Sequence, residues 1–257
     1  MRLTEVSMEL ELENIGKQFG GLSALKDVSI AFEKGRITAL IGPNGAGKTT
    51  LFDIVSGFLR PDTGRVIYKD EDITAVTAHR LARKGIGRLF QDVRIFSNMS
   101  VLENVTVAQR HQPGENPLWA LLRPRRVNRL ERANQAAARE LLQLVGIDDK
   151  EHLWGEQLSF GQQKLLAIAR LLANESSVLL LDEPTAGVNP HMVDVLLKTI
   201  RMLANDGKTV VIIEHNLSVI LKLCDWVFLL DDGEVTAFGT AKEVLEDRAL
   251  QEAYLGV

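Results

Sequence analysis

Residues 42 to 49 read Gly-Pro-Asn-Gly-Ala-Gly-Lys-Thr, a match to G-x-x-x-x-G-K-[ST]. The residue types define a chemistry. Glycines let backbone N–H groups close around an anion, and a helix opening at the lysine adds a favourable dipole. Lys48 brings a cation to the β/γ-phosphates of a nucleotide, and the Thr49 hydroxyl can meet Mg²⁺. The expected nucleotide contacts are Gly42, Pro43, Asn44, Gly45, Ala46, Gly47, Lys48, Thr49 and Thr50. A second constellation lies far downstream, where the apolar run Val178 to Leu181 ends in Asp182-Glu183. Acids there sit at the carboxyl edge of a sheet, where open α/β folds bind ligands. Asp182 is expected to hold Mg²⁺ and Glu183 to orient or deprotonate an attacking water.

These groups need a frame. Val28 to Phe32, Ile37 to Ile41 and Arg65 to Tyr68 read as strands, with Pro61 to Gly64 as a turn. Lys48 to Phe58 reads as a helix. Val178 to Leu181 and Val210 to Ile213 are continuously apolar, as strands buried on both faces of a parallel sheet are. His191 to Leu203 fits the crossover helix between them. From Ser100 to Leu172 the pattern turns helical, opening on a Ser100/Glu103 capping box. Gln112 to Arg125 holds three prolines and reads as a loop. Arg126 to Val145 reads as a long helix with Val127, Leu130, Ala137, Leu141 and Leu144 on one stripe. The expected fold class is α/β, a P-loop NTPase with a mostly parallel sheet core, an N-terminal antiparallel β part and an inserted helical subdomain.

Composition bounds the alternatives. The 257 residues are 46% hydrophobic and 25% charged, which suits an ordinary globular chain. Thirty-four acids against 30 bases give a net charge of -4, so a dedicated nucleic-acid binder is not expected. Cys224 stands alone, which excludes an internal disulfide and fits a reducing compartment. The apolar runs are far shorter than the roughly 20 residues that span a bilayer. Met1 to Glu11 carries Glu5, Glu9 and Glu11 and does not read as a signal peptide. Arg123, Arg125, Arg126, Arg129 and Arg132 form either a patch for phosphate or lipid headgroups or a solvated face beside Glu131 and Glu140. The net charge favours the solvated face.

Leu158-Ser159-Phe160-Gly161-Gln162-Gln163-Lys164 narrows the class. Ser159 and Gln162 make an S-x-x-Q cap, so the segment should open a helix whose N-terminus can meet an anion. The segment resembles the LSGGQ signature of ABC ATPases. Other positions follow in that family's order: Phe19 upstream of the phosphate loop, Gln91 in Leu89 to Asp92, Ala186 to Asn189, and His215 after Val210 to Ile213. The resemblance covers nearly the whole chain. It implies one ABC ATPase domain, with a core of about 1–95 and 175–257 and a helical subdomain of about 96–174.

By the same resemblance Phe19 stacks on adenine. Gln91 senses Mg²⁺ and the membrane partner, and counts with Thr49 and Asp182 as a metal-site residue. His215 contacts the γ-phosphate. Ser159, Phe160, Gly161 and Gln162 act in trans on ATP held by a second chain. Catalytic roles fall to Glu183, His215, Gln91 and Lys48. Two departures stand out: Phe160 replaces the first signature glycine, and Asn189 replaces the usual aspartate.

Phe19 to Leu25, Phe90 to Phe96, Val101 to Val105, the proline-containing insertion, Ile213 to Asn216 and Glu252 to Gly256 resemble the ATPases of branched-chain and other hydrophobic amino-acid importers. Urea and amide importers share the pattern, and a lipopolysaccharide-export ATPase is related. The implied cofactors are ATP and Mg²⁺. The implied partners are two transmembrane permease subunits, a second ATPase subunit as heterodimer or homodimer, and an extracytoplasmic substrate-binding protein, with no nucleic acid. The implied place is peripheral, on the cytoplasmic face of the inner or plasma membrane. ABC ATPases of DNA repair or translation carry coiled-coil inserts, zinc sites or two ATPase units, and a small-molecule P-loop kinase needs no signature segment.

Overall fold

The computed structural model describes residues 7–110 and 124–246. Two sheets organise the strands. The first is antiparallel, in the order β2 (Leu22–Glu33), β1 (Met8–Phe19), β4 (Thr63–Tyr68), β5 (Glu71–Asp72). The second has six strands, in the order β10 (Glu234–Thr240), β9 (Trp226–Asp231), β3 (Ile37–Ile41), β8 (Thr209–Ile213), β7 (Val178–Asp182), β6 (Ile86–Leu89). β9, β3, β8 and β7 run parallel, and β10 closes one edge as an antiparallel hairpin partner of β9. Every residue of β3, β7 and β8 is buried, which is why these strands are mostly apolar instead of alternating.

Eight helices are described: α1 (Lys48–Val55), α2 (Ala78–Lys84), α3 (Val101–Val107), α4 (Pro124–Val145), α5 (Phe160–Ala173), α6 (Pro190–Asn205), α7 (Leu217–Leu223) and α8 (Ala241–Glu246). The chain divides into two compact units. The sheet unit comprises Met1–Arg88, Ser177–Pro184 and Ile200–Val257. The helical unit comprises Leu89–Ser176 and Thr185–Thr199.

In the sheet unit, one apolar core lies between the inward faces of the two sheets. Leu12, Ile30 and Phe32 of the antiparallel sheet meet Leu40, Leu180, Val211 and Phe228 of the other, with Phe52 and Val55 from α1. Each such side chain contributes about 1.5–3 kcal/mol by leaving water. In the helical unit, α3 and α5 bury Val101, Val105, Leu165 and Ile168, and α4 adds Ala138, Leu142 and Val145. The Ser100/Glu103 capping box forms, with each partner bonding the other's backbone N–H.

Several local expectations need correction. The first helix stops at Val55 and does not reach Phe58. Gly57 there has φ of 73°, the left-handed conformation that follows a helix end, and a Cβ would stand 2.8 Å from Val76 O, so only glycine fits. Phe58 is left exposed. Half of the expected Pro61–Gly64 turn is strand, because Thr63 and Gly64 already belong to β4.

The last residues of the expected Gln112–Arg125 loop open α4, with Pro124 at its first position, where a missing N–H costs nothing. Most of that loop and Arg123 fall outside the described residues. The buried stripe of α4 is also displaced. Val127 is buried as expected, but Leu130, Ala137 and Leu144 are exposed and Leu141 is half-buried, whereas Ala138, Leu142 and Val145 point inward. The runs Ala136 to Ala138 and Leu141-Leu142 are apolar on two adjacent faces, so periodicity alone could not choose between them. Arg125, Arg126, Arg129 and Arg132 are exposed.

Candidate functional site

The sheet unit builds its site at the carboxyl ends of β3, β7 and β8. The loop from Gly42 to Gly47 joins β3 to α1. Gly42 has φ of 148° and Gly47 φ of 99°. A Cβ at Gly42 would lie 2.0 Å from Leu230 O, and one at Gly47 would lie 2.6 Å from Ala24 O. Glycine is therefore required at both positions by space as well as by backbone angle. No side chain caps the start of α1, so its first N–H groups point out of the helix toward the loop without a side-chain acceptor.

Lys48 is buried, and its Nζ donates to Gly42 O at 2.7 Å and Pro43 O at 2.9 Å. The ammonium is thus held over the loop. Burial lowers its pKa, and the nearby Glu183 and Asp182 carboxylates act against that shift. Pro43, Asn44, Gly45 and Thr49 are exposed, Thr50 is half-buried and Ala46 is buried.

β7 delivers Asp182 buried and Glu183 half-buried at its end. Burial raises the pKa of Asp182, opposed by the guanidinium of Arg88. Arg88 lies at 3.2 Å from Asp182 and 2.5 Å from Asp53, and also donates to Ser56 Oγ. Its side chain is only 5% exposed, and its guanidinium sits 5.6 Å from the centre of the Phe52 ring. Glu183 adopts φ of 46°, unusual for a non-glycine residue, and its N–H donates to Ile213 O at 2.9 Å. That bond ties the acid to the end of β8, where His215 follows. His215 Nε2 lies 3.1 Å from Glu183 Oε1. The buried Glu214 accepts from the backbone N–H groups of His215 and Asn216, which sets the course of the chain after β8.

Five groups from distant positions in sequence therefore share one unit: the Gly42–Thr50 loop, Arg88, Asp182, Glu183 and His215. Phe19 closes β1 in the same unit and is 48% exposed, with Lys17 Nζ 5.7 Å from its ring centre. Among the described residues, no group of three or more His, Cys, Asp or Glu side chains could hold a metal unaided. Mg²⁺ takes oxygen donors one or two at a time and keeps water and phosphate as its other ligands. The Asp182 carboxylate and the Thr49 hydroxyl are donors of that type.

The helical unit carries the other expected residues. Gln91 is exposed, just beyond β6. Ser159 caps α5, accepting from Gln162 N–H while Gln162 Oε1 accepts from Ser159 N–H at 2.9 Å. Gly161 is pressed against Val188 and Met192: a Cβ would lie 3.0 Å from each. Phe160 is 41% exposed and covers Gly187, where a Cβ would be 3.2 Å from the ring. Under that ring runs Lys164, fully buried, with Nζ 4.9 Å from the ring centre and donating to Ala186 O at 2.9 Å. Asn189 accepts from Met192 N–H at 2.9 Å and caps α6, a task an aspartate performs equally well.

The sequence reading assigns no individual role to Arg88, Asp53, Glu214 or Lys164. A trace was present. Arg88 interrupts the apolar strand Ile86 to Leu89, and Lys164 precedes Leu165 and Leu166 in a helix. A cation amid apolar residues signals a buried partner.

Residues 25–186, well over half the chain, match the family model for the ABC transporter. The chain belongs to the ABC transporter family, and it is the kind of subunit that binds and hydrolyses ATP. It is 35% identical over 248 residues to the high-affinity branched-chain amino acid transport ATP-binding protein BraF of Pseudomonas aeruginosa, covering 96% of this chain and 97% of that one. It is 38% identical over 250 residues to the probable branched-chain amino acid transport ATP-binding protein LivG of Archaeoglobus fulgidus, covering 96% and 95%. Among solved structures, a nucleotide-free ATP-binding cassette from an ABC transporter superposes with a TM-score of 0.84 at 35% identity, covering 98% of this chain and 100% of the other. The ADP conformation of another such cassette gives 0.84 at 34% identity, with the same coverage.

Proposed function

We propose that this chain energises uptake of branched-chain or other hydrophobic amino acids, with Glu183 as the residue that activates water for ATP hydrolysis. The observation that carries the catalytic part is the 3.1 Å approach of His215 to Glu183, at the sheet edge that also holds Asp182 and the phosphate loop. The relatives named for branched-chain amino acid transport, similar over 96% of the chain, support the substrate class.

In this reading the Gly42–Thr50 loop and Lys48 hold the phosphates, and Phe19 stacks on adenine. Glu183 orients the attacking water, and His215 positions that carboxylate and donates to the γ-phosphate. Thr49 and Asp182 would hold Mg²⁺, which neutralises phosphate charge when bound. Gln91 is the metal-sensing glutamine that the resemblance implies, and it passes the state of the nucleotide to the membrane partner.

One chain carries one phosphate loop and one signature. Two chains must therefore meet head to tail, each offering Ser159, Phe160, Gly161 and Gln162 to the other's ATP, with the start of α5 facing the γ-phosphate. We read the whole chain as a single ATPase domain. It works at the cytoplasmic face of the membrane with two permease subunits, a second ATPase subunit and an extracytoplasmic binding protein. No helix among the described residues is long and apolar enough to cross a membrane, and in this reading the permease subunits supply the transport path.

Purification of the chain from native membranes in mild detergent tests this reading. Multi-span permeases, a second ATPase and leucine uptake that depends on this chain are expected. Ribosomal or DNA-bound partners without a membrane protein would overturn it.

A further inference from the structure

A groove in the sheet unit, separate from the phosphate loop, Asp182, Glu183 and His215, is unexplained by ATP hydrolysis. It encloses about 520 Å³, within the size range of small-molecule sites. Its floor is formed by β1 and β2. Leu10 and Phe32 point into the core, and Glu11, Glu13 and Glu33 line the groove together with the core residues Leu12 and Ile30. Its wall is aromatic. Phe228 and Phe238 are cross-strand partners on β9 and β10 with ring centres 4.3 Å apart, and Trp226 stacks on Phe238 at 5.4 Å. Phe238 is 56% exposed on an edge strand. An aromatic left in water on top of two stacked rings forgoes burial that an occupant would supply.

The charge is one-sided. Among the described residues, three carboxylates and no lysine or arginine line the groove. Glu13 pairs with Arg65 at 2.6 Å and Glu33 with Arg36 at 3.7 Å, but both arginines are more than half exposed and lie outside the lining. Glu11 makes no ion pair with any described residue. An anion such as a nucleotide would be repelled here, and a neutral apolar molecule would desolvate carboxylates without pairing them. A cation with an apolar body meets both features: its charge faces the glutamates and the negative faces of the rings, and its body covers Phe238.

We propose that this groove binds a small organic cation, an amine or quaternary ammonium carrying an aromatic or alkyl body. Benzyltrimethylammonium is a suitable probe, titrated calorimetrically into the full chain. One saturable site per chain is expected, weakening as salt is raised. Glu11→Gln should weaken it about threefold, the size of one partly exposed charge contact. Phe238→Ala should weaken it about tenfold through lost ring contact. Both variants should bind ATP as the unaltered chain does, since neither residue belongs to the nucleotide machinery. Should Phe238→Ala fail to bind ATP, Glu11→Gln alone decides. Absence of saturable binding, equal binding of benzoate, or affinity untouched by Glu11→Gln would overturn the proposal.

Discussion

Replacing Arg88 by leucine tests how the site keeps a carboxylate buried. In the folded protein Asp182 is only 7% exposed, and Arg88 is its ion-pair partner at 3.2 Å. Leucine fills much of the arginine stem's volume but supplies no charge and no donor. The carboxylate is then left in a low-dielectric site without its cation, and breaking one side of a buried pair costs about 3–5 kcal/mol. Asp53, at 37% side-chain exposure, loses its partner too, but water reaches it and its share is small. The expected loss is therefore near the lower end, about 3 kcal/mol, a large part of the 5–15 kcal/mol that holds a typical domain together. Arg88→Lys keeps a charge but not the fork that reaches both acids, and should lose about half as much. Equilibrium urea unfolding with EDTA and no nucleotide measures these values. A double variant, Arg88→Leu with Asp182→Asn, removes the stranded charge and should regain about half of the loss. A loss under about 1 kcal/mol, or a double variant no more stable than the single, would refute the reasoning.

Three further outcomes follow from local geometry. Gly161→Val should lower stability by about 1–3 kcal/mol, because even a Cβ meets Val188 and Met192 at 3.0 Å; an unchanged thermal midpoint would contradict this packing. Asn189→Asp should leave stability within about 0.5 kcal/mol, whereas Asn189→Ala loses the cap of α6 and costs about 1 kcal/mol by urea unfolding. Glu103 titrates below the usual glutamate range because the Ser100 N–H and hydroxyl both donate to it. A lowered folded pKa means its capping contribution is present above the unfolded glutamate pKa of about 4.3 and is lost as pH falls through the folded value. Carbon-detected NMR titration of Glu103 measures this directly, and a midpoint at or above the ordinary value would count against the cap.

The parts of the fold legible in sequence were those with one dominant cause. β3, β7 and β8 are buried on both faces, so their short apolar runs read as strands. The phosphate loop announces itself because Gly42 and Gly47 admit no side chain. The capping boxes at Ser100 and Ser159 are local and were readable for that reason. What escaped depends on contacts far apart in sequence. The pairing of Arg88 with Asp53 and Asp182 is made across 35 and 94 residues. The left-handed Gly57 after the first helix packs against the backbone of Val76, a contact that propensity does not see. The face of α4 was ambiguous because two adjacent stripes are apolar. Of the two departures from the family pattern, Asn189 is a cap in place of a cap. Phe160 is a roof over Lys164 and Gly187, a packing role invisible without the fold.

The most direct test compares ATP binding with ATP turnover in the chain carrying Glu183→Gln. The substitution keeps shape and removes the base beside His215. ATP affinity by calorimetry should stay close to that of the unaltered chain, while turnover should fall by about two orders of magnitude or more. Lys48→Ala, run alongside, should lose binding itself, which separates holding the phosphates from activating water. Near-normal turnover in Glu183→Gln would contradict the account and leave the water-activating residue to be found elsewhere.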